Sequence, residues 1–205
     1  RNARRLMKKF KLIFNIILIL FISISKSYSL VEVDITRGNL NPLPIAVSPL
    51  FQDNNSNTFF EKELEIEDIG SEISKVIENN LKQSGLFNPL SKDAFLQKPD
   101  IAHLKPRFED WALIKSQALI TGKVTAVNEK LKVEFRLWDV LAGREMLALA
   151  FTTVPSNWRR VGHIITDKVY QRLTGEKGYF DTRIIYVSEE GPKTQRIKKL
   201  AIMDQ

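Results

Sequence analysis

Apolar residues recur along this chain with two distinct periods, and the switches between them mark its elements. Val31-Glu32-Val33-Asp34-Ile35-Thr36 alternates apolar and polar side chains, the two-residue period of a half-buried strand. Gly38, Asn39, Asn41, Pro42 and Pro44 interrupt it. Ile45-Ala46-Val47-Ser48-Pro49-Leu50 then reads as a short strand, and Gln52–Asn57 as a polar loop. From Ile66 to Lys82 the period lengthens. Ile69, Ile73, Val76, Ile77 and Leu81 fall on one helical face, with Glu65, Glu67 and Asp68 near the positive end of the helix dipole. Gly85 is placed to end this helix, since glycine takes positive φ at little cost. Phe87–Leu90 reads as extended, and Ser91 as the cap of a short helical turn carrying Ala94, Phe95 and Leu96.

A short helix is expected over Phe108 to Lys115, with Trp111 and Ile114 inward, and three strands follow it. The first, Ala118–Val127, contains Gly122, which marks a bulge or a close backbone approach. In Lys130–Val140 the alternation is cleanest: Leu131, Val133, Phe135 and Leu137 share one face, Lys132, Glu134, Arg136 and Trp138 the other. Ala142-Gly143 turns the chain into Glu145–Val154, and such short connections favour an antiparallel meander. A long helix from Ser156, read as its N-cap, to Leu173 buries Val161, Ile164, Ile165, Val169 and Leu173 and stops at Gly175. After the Gly175–Asp181 linker, two apolar segments, Arg183–Val187 and Lys198–Met203, flank a polar loop, as in the opening strands of a second, truncated domain. A lone hairpin of this kind is marginal in water.

The first residues follow another grammar. Basic Lys8, Lys9 and Lys11 precede an apolar run over Leu12–Phe14 and Ile16–Ile22, and Ser27-Tyr28-Ser29 then offers small residues where signal peptidase requires them. The run is about half the roughly 20 residues that span a bilayer. We read 1–29 as a secretory signal peptide cleaved between Ser29 and Leu30, with no membrane span thereafter; a retained membrane anchor is the competing reading. Residues 1–6 precede Met7, the natural start.

This leader also explains the charge. The 205 residues carry a net +7, but the leader holds seven cations and no acid, so the remaining bases and acids balance. Nucleic-acid binding needs clustered cations on the folded domain, and no nucleic-acid partner is expected. The chain has no cysteine, which excludes disulfides, thiolate chemistry and lipid attachment through cysteine.

The catalytic inventory is poor. His103 and His163 are the only histidines, and neither belongs to a metal-ligand spacing. No Gly-x-Ser-x-Gly turn or phosphate-cradling glycine loop occurs. The carboxylates of Glu61–Asp68 read as a solvated helix start. No catalytic residue, metal or cofactor is assigned, and the chain is expected not to be an enzyme. Trp138, on the polar side of its strand, is read as packed, with an exposed docking face as the alternative. Arg159 and Arg160 sit at a positive helix end, tolerable if they meet carboxylates across the sheet or on the following propeller, with plain solvent exposure as the alternative.

An ordered series of segments carries a more specific signal. It includes Pro44-Ile45-Ala46-Val47, Glu67-Asp68-Ile69-Gly70, Ser84-Gly85-Leu86-Phe87-Asn88-Pro89-Leu90 and Gln117-Ala118-Leu119-Ile120-Thr121-Gly122. It continues through Val133-Glu134-Phe135-Arg136-Leu137-Trp138-Asp139-Val140, Asn157-Trp158-Arg159-Arg160, the run from Arg172 to Ile184, and Lys199 to Gln205. Together these resemble the TolB family of the Tol–Pal system, its alphaproteobacterial members in particular. The resemblance implies an α/β domain followed by a six-bladed β-propeller of which only the first strands are here. The expected fold class is therefore α/β: a mixed sheet packed by two main helices and one shorter one, then a truncated first propeller blade. The expected domains are the leader over 1–29, a partner-binding segment over 30–38, the α/β domain over 39–177, and linker plus propeller start over 178–205.

The resemblance further implies a periplasmic protein that contacts inner-membrane TolA through its mature N-terminal segment and the outer-membrane lipoprotein Pal through the propeller. By position, the TolA contact falls on Val31, Glu32, Val33, Asp34, Ile35 and Thr36. Physically, a short alternating strand on a flexible Gly/Pro/Asn tether can pair with its own sheet or with another chain's edge. The alternatives are a permanently docked first strand and, for the whole protein, a periplasmic small-ligand or polysaccharide-binding module on a similar frame.

Overall fold

The computed structural model describes residues 41–193 and 195–204. The leader, Ser29, Leu30 and the segment Val31–Thr36 lie outside the described residues. Among those described, a mixed sheet carries five helices, and a separate hairpin follows.

The main sheet has the order β3-β1-β4-β5-β6, from β1 (Leu43–Val47), β3 (Phe87–Pro89), β4 (Ala118–Val127), β5 (Lys130–Asp139) and β6 (Arg144–Thr153). The two-residue β2 (Phe51–Gln52) joins β4 beside β1. β1 pairs in parallel with β3 and β4, whereas β4, β5 and β6 form the antiparallel meander. The alternation in β5 is observed as read: Leu131, Val133, Phe135 and Leu137 are buried, and the residues between them are more open. Gly122 is a close approach: a Cβ there would collide with the Glu134 carbonyl and lie 2.9 Å from Leu50 Cδ2.

The five helices are α1 (Asn54–Leu64), α2 (Ile69–Gln83), α3 (Pro99–Ala102), α4 (Phe108–Leu113) and α5 (Trp158–Thr174). α2 and α5 cover one sheet face, burying Ile73, Ile77 and Leu81 with Val161, Ile165, Val169 and Leu173 in the main core. Gly162 lets them close up, since a Cβ on it would sit 2.8 Å from Val76 Cγ1. The opposite face has a smaller cluster, Ala46, Ala102, Trp111, Leu119 and Val140, covered by α3, α4 and their connections. Trp138 packs there, its indole donating to Thr121 Oγ1 at 2.9 Å and its ring meeting Phe108 edge-on, as the packed reading expects.

Five local expectations need correction. The stretch read as a polar loop over Gln52–Asn57 enters α1, because Asp53 accepts the Ser56 N–H at 2.8 Å as an N-cap and Phe60 is fully buried. α2 begins at Ile69 rather than Ile66: Asp68 is its N-cap, accepting the Ser71 N–H and hydroxyl, while Glu65 closes α1 in the left-handed region. The carboxylates Glu61 and Glu63 thus belong to α1, not to the start of α2. Ser91 precedes a 3-10 turn without capping it; its hydroxyl donates to Asp93 at 3.3 Å. Ser156 likewise lies inside a 3-10 turn, Pro155–Asn157, and Asn157 occupies the N-cap position of α5.

After α5 the chain runs through Gly175, in the left-handed region, into the antiparallel hairpin of β7 (Arg183–Glu190) and β8 (Ile197–Asp204). Both hairpin faces expose apolar side chains: Ile184, Tyr186 and Met203 on one, Ile185, Val187, Leu200 and Ile202 on the other. A strand pair apolar on both sides has the pattern of sheet packed between layers.

Candidate partner-binding surfaces

The described chain begins two residues before β1, which lies between β3 and β4 in the sheet. Val31–Thr36 itself, the sequence's candidate for the TolA contact, lies outside the described residues. The remaining chemistry can be placed.

The histidines hold structure together. His103 Nδ1 lies 3.0 Å from the Pro99 carbonyl, and its ring stacks on Phe51 with centroids 4.5 Å apart. His163 is buried between α2 and α5, where Asn80 Nδ2 lies 2.9 Å from its Nδ1. Among the described residues no three His, Cys, Asp or Glu side chains gather as a metal site. Nor is any helix among them long and apolar enough to cross a membrane.

Two surfaces stand out among the described residues. Among the described residues β6 is an edge strand, ten residues long, with Leu149 in its exposed middle. The opposite edge, β3, is three residues long and ends in Pro89, which blunts it. Beside β6 a shallow groove of about 450 Å³ crosses the open sheet face, floored by Ala148 and Ala150 and walled by Leu104 and Arg136. Arg136 donates to the His103 carbonyl at 3.3 Å and pairs with Glu145, which ties this wall to the α3 end. The groove needed the fold, because its residues come from four separate stretches of chain.

A second opening lies where α5 begins and the chain leaves for β7. It is a cleft of about 590 Å³ lined by Trp158, Arg159, His163, Phe180 and Thr182 among others. Arg159 lies over the Trp158 ring, 4.9 Å from its centroid. Arg160 forms a two-pronged ion pair with Asp181, Nε to Oδ1 at 3.0 Å and Nη2 to Oδ2 at 3.2 Å. Arg160 thus meets a carboxylate on the segment leading to the hairpin, whereas Arg159 lies over an aromatic ring.

The model of the TolB amino-terminal domain matches residues 31–146. This chain belongs to the TolB family. It is 80% identical over 188 residues to the Tol-Pal system protein TolB of Pelagibacter ubique (strain HTCC1062), covering 91% of this chain and 42% of that one. In three dimensions it resembles the crystal structure of TolB from Acinetobacter baumannii, with a TM-score of 0.62 over 85% of this chain and 39% of that one. At 23% identity, this likeness speaks for the fold alone. The TolB-domain match ends just inside β6. The chain therefore spans less than half the length of these TolB relatives, and α5, the linker and the hairpin extend beyond the matched domain.

Proposed function

We propose that this chain is the N-terminal part of a periplasmic protein–protein interaction component of the Tol–Pal system. In this reading it links inner-membrane TolA to outer-membrane Pal, supporting outer-membrane invagination at division and envelope integrity. The observation that carries the proposal is the 80% identity, over nearly the whole chain, to a Tol-Pal system TolB.

TolA contact is assigned to Val31–Thr36. Two physical features support it. The segment alternates apolar and polar residues, so a partner sheet edge can take its backbone hydrogen bonds while one row of side chains gives selectivity. The Gly38–Pro44 stretch behind it is rich in residues that resist helix, a suitable tether. Pal contact is assigned to a propeller of which β7 and β8 are the opening strands; their two apolar faces suit strands enclosed within a larger assembly. Export by the leader over 1–29 places both contacts in the periplasm.

Deleting Val31–Thr36 from the complete protein tests the reading. Capture of TolA should fall sharply while circular dichroism stays nearly unchanged, because β1 and its core contacts begin beyond the deletion. Undiminished capture overturns the assignment.

A further inference from the structure

The chain that leaves the α/β domain is fastened to α5 by one carboxylate. Asp167, midway along α5, accepts the backbone N–H of Phe180 at 2.7 Å through Oδ1 and that of Asp181 at 3.2 Å through Oδ2. Gly178 passes so close that a Cβ there would lie 2.5 Å from Asp167 Cα and 2.7 Å from its Cβ. Only a residue without a side chain lets the backbone approach this far. Phe180 then inserts fully into the core, its ring meeting Tyr170 edge-on at 5.7 Å and stacking on Tyr179 at 4.5 Å. One residue later Asp181 takes the fork of Arg160, two turns before Asp167 on the same helical face. β7 begins at Arg183.

An ordinary flexible linker makes none of these contacts; here three successive residues after Gly178 are engaged, and charge-assisted hydrogen bonds to backbone donors are among the stronger kinds. We propose that Asp167 is a latch that fixes the direction in which β7 and β8 leave the α/β domain, so that the domain and the hairpin reorient together. A partner that turns the α/β domain thereby turns whatever sheet the hairpin belongs to. Releasing the latch frees the linker from Gly175, already in the left-handed region, to Thr182 and uncouples the two. The inference stands on this geometry and is independent of where TolA binds.

Spin labels on cysteines introduced at Gln171 of α5 and Lys199 of β8, both exposed, report the coupling in the complete protein. None of these 205 residues is a cysteine to interfere. The parental protein should give one narrow distance distribution. Asp167→Ala should broaden it, with Asp167→Asn intermediate because its amide keeps one acceptor oxygen. Trypsin cutting at Lys177 should speed up about tenfold in Asp167→Ala, since opening of the segment limits cleavage. Thermal unfolding of the α/β domain should barely move. If Asp167→Ala fails to fold, Arg160→Gln tests the outer arm from the surface and should still broaden the distribution. Distributions that superimpose on the parental one in the variants that fold overturn the proposal.

Discussion

Asn80 reaches across the interface between α2 and α5 to His163, amide nitrogen to ring Nδ1 at 2.9 Å, inside an otherwise apolar contact. Its second amide proton goes to Thr166 Oγ1 at 3.2 Å, and Thr166 donates in turn to the Gly162 carbonyl at 2.8 Å. In this arrangement the Asn80 amide donates and His163 Nδ1 accepts. The network gives two apolar helix faces one preferred register, because a slip leaves buried polar atoms unpaired. Replacing Asn80 with Ala strands acceptors on both His163 and Thr166 and should cost about 2–3 kcal/mol. A lowered urea midpoint with an unchanged slope is the expected result.

Gly162 sits at the same interface, and the sign of Gly162→Ala is decided by two opposed effects. In an open helix, alanine for glycine gains about 0.5–1 kcal/mol of backbone entropy. Here the new methyl meets Val76 Cγ1 at 2.8 Å and Cβ at 3.0 Å, on a buried branched residue with little room to turn. Overpacking of this kind costs about 1–3 kcal/mol, so the substitution should destabilise. Urea unfolding checks it, and pairing it with Val76→Ala should recover most of the loss.

Asp53 links α1 to acid stability. The hydrogen bonds from Ser56, side chain first and backbone N–H second, hold its carboxyl below the ordinary carboxylate range, and Lys123 adds a smaller pull. A lowered folded-state value contributes stability above the unfolded value near 4, and that stability disappears as pH falls through the folded value. Asp53→Ala should therefore cost about 1 kcal/mol at pH 7, an ordinary N-cap loss. The gap to the parent should close on acidification below about pH 4. Urea unfolding at pH 7 and pH 3 measures both.

The elements legible in the sequence were those whose periodicity was set by one buried face. The stripes of α2 and α5 and the alternation of β5 all face the same large core, so hydrophobic spacing alone located them. α1 was illegible because Phe60 and Ser56 are its only buried residues, and Ser56 is polar. Its place is fixed by a contact far along the chain, the Ala126 N–H donating to Ser56 Oγ at 3.0 Å. The clasp on the linker was half visible. Arg160 at a positive helix end signalled a missing carboxylate, but Asp167 looked like an ordinary polar position, and only the fold returns Phe180 and Asp181 to it. Edge strand β6 shows the converse limit: its apolar residues read as a strand, yet nothing local to them says that no neighbour follows among the described residues.

Gln97 organises the irregular segment that covers the second sheet face. Its Oε1 accepts both the Arg107 N–H at 2.9 Å and the Trp111 indole N–H at 3.1 Å, while its Nε2 donates to the Lys105 carbonyl at 3.1 Å. Gln97 is nearly fully buried, so Gln97→Leu keeps the volume while leaving two donors and one acceptor without partners. The loss should be about 2–4 kcal/mol, felt locally. Trp111 packs in the small cluster with Phe95, while α2 and α5 pack in the large core on the other side of the sheet. Amide exchange should therefore accelerate across residues 91–113 and leave the α2 and α5 amides protected. Trp111 emission should shift to the red. Uniform acceleration throughout the domain would instead show that the two clusters unfold as one unit.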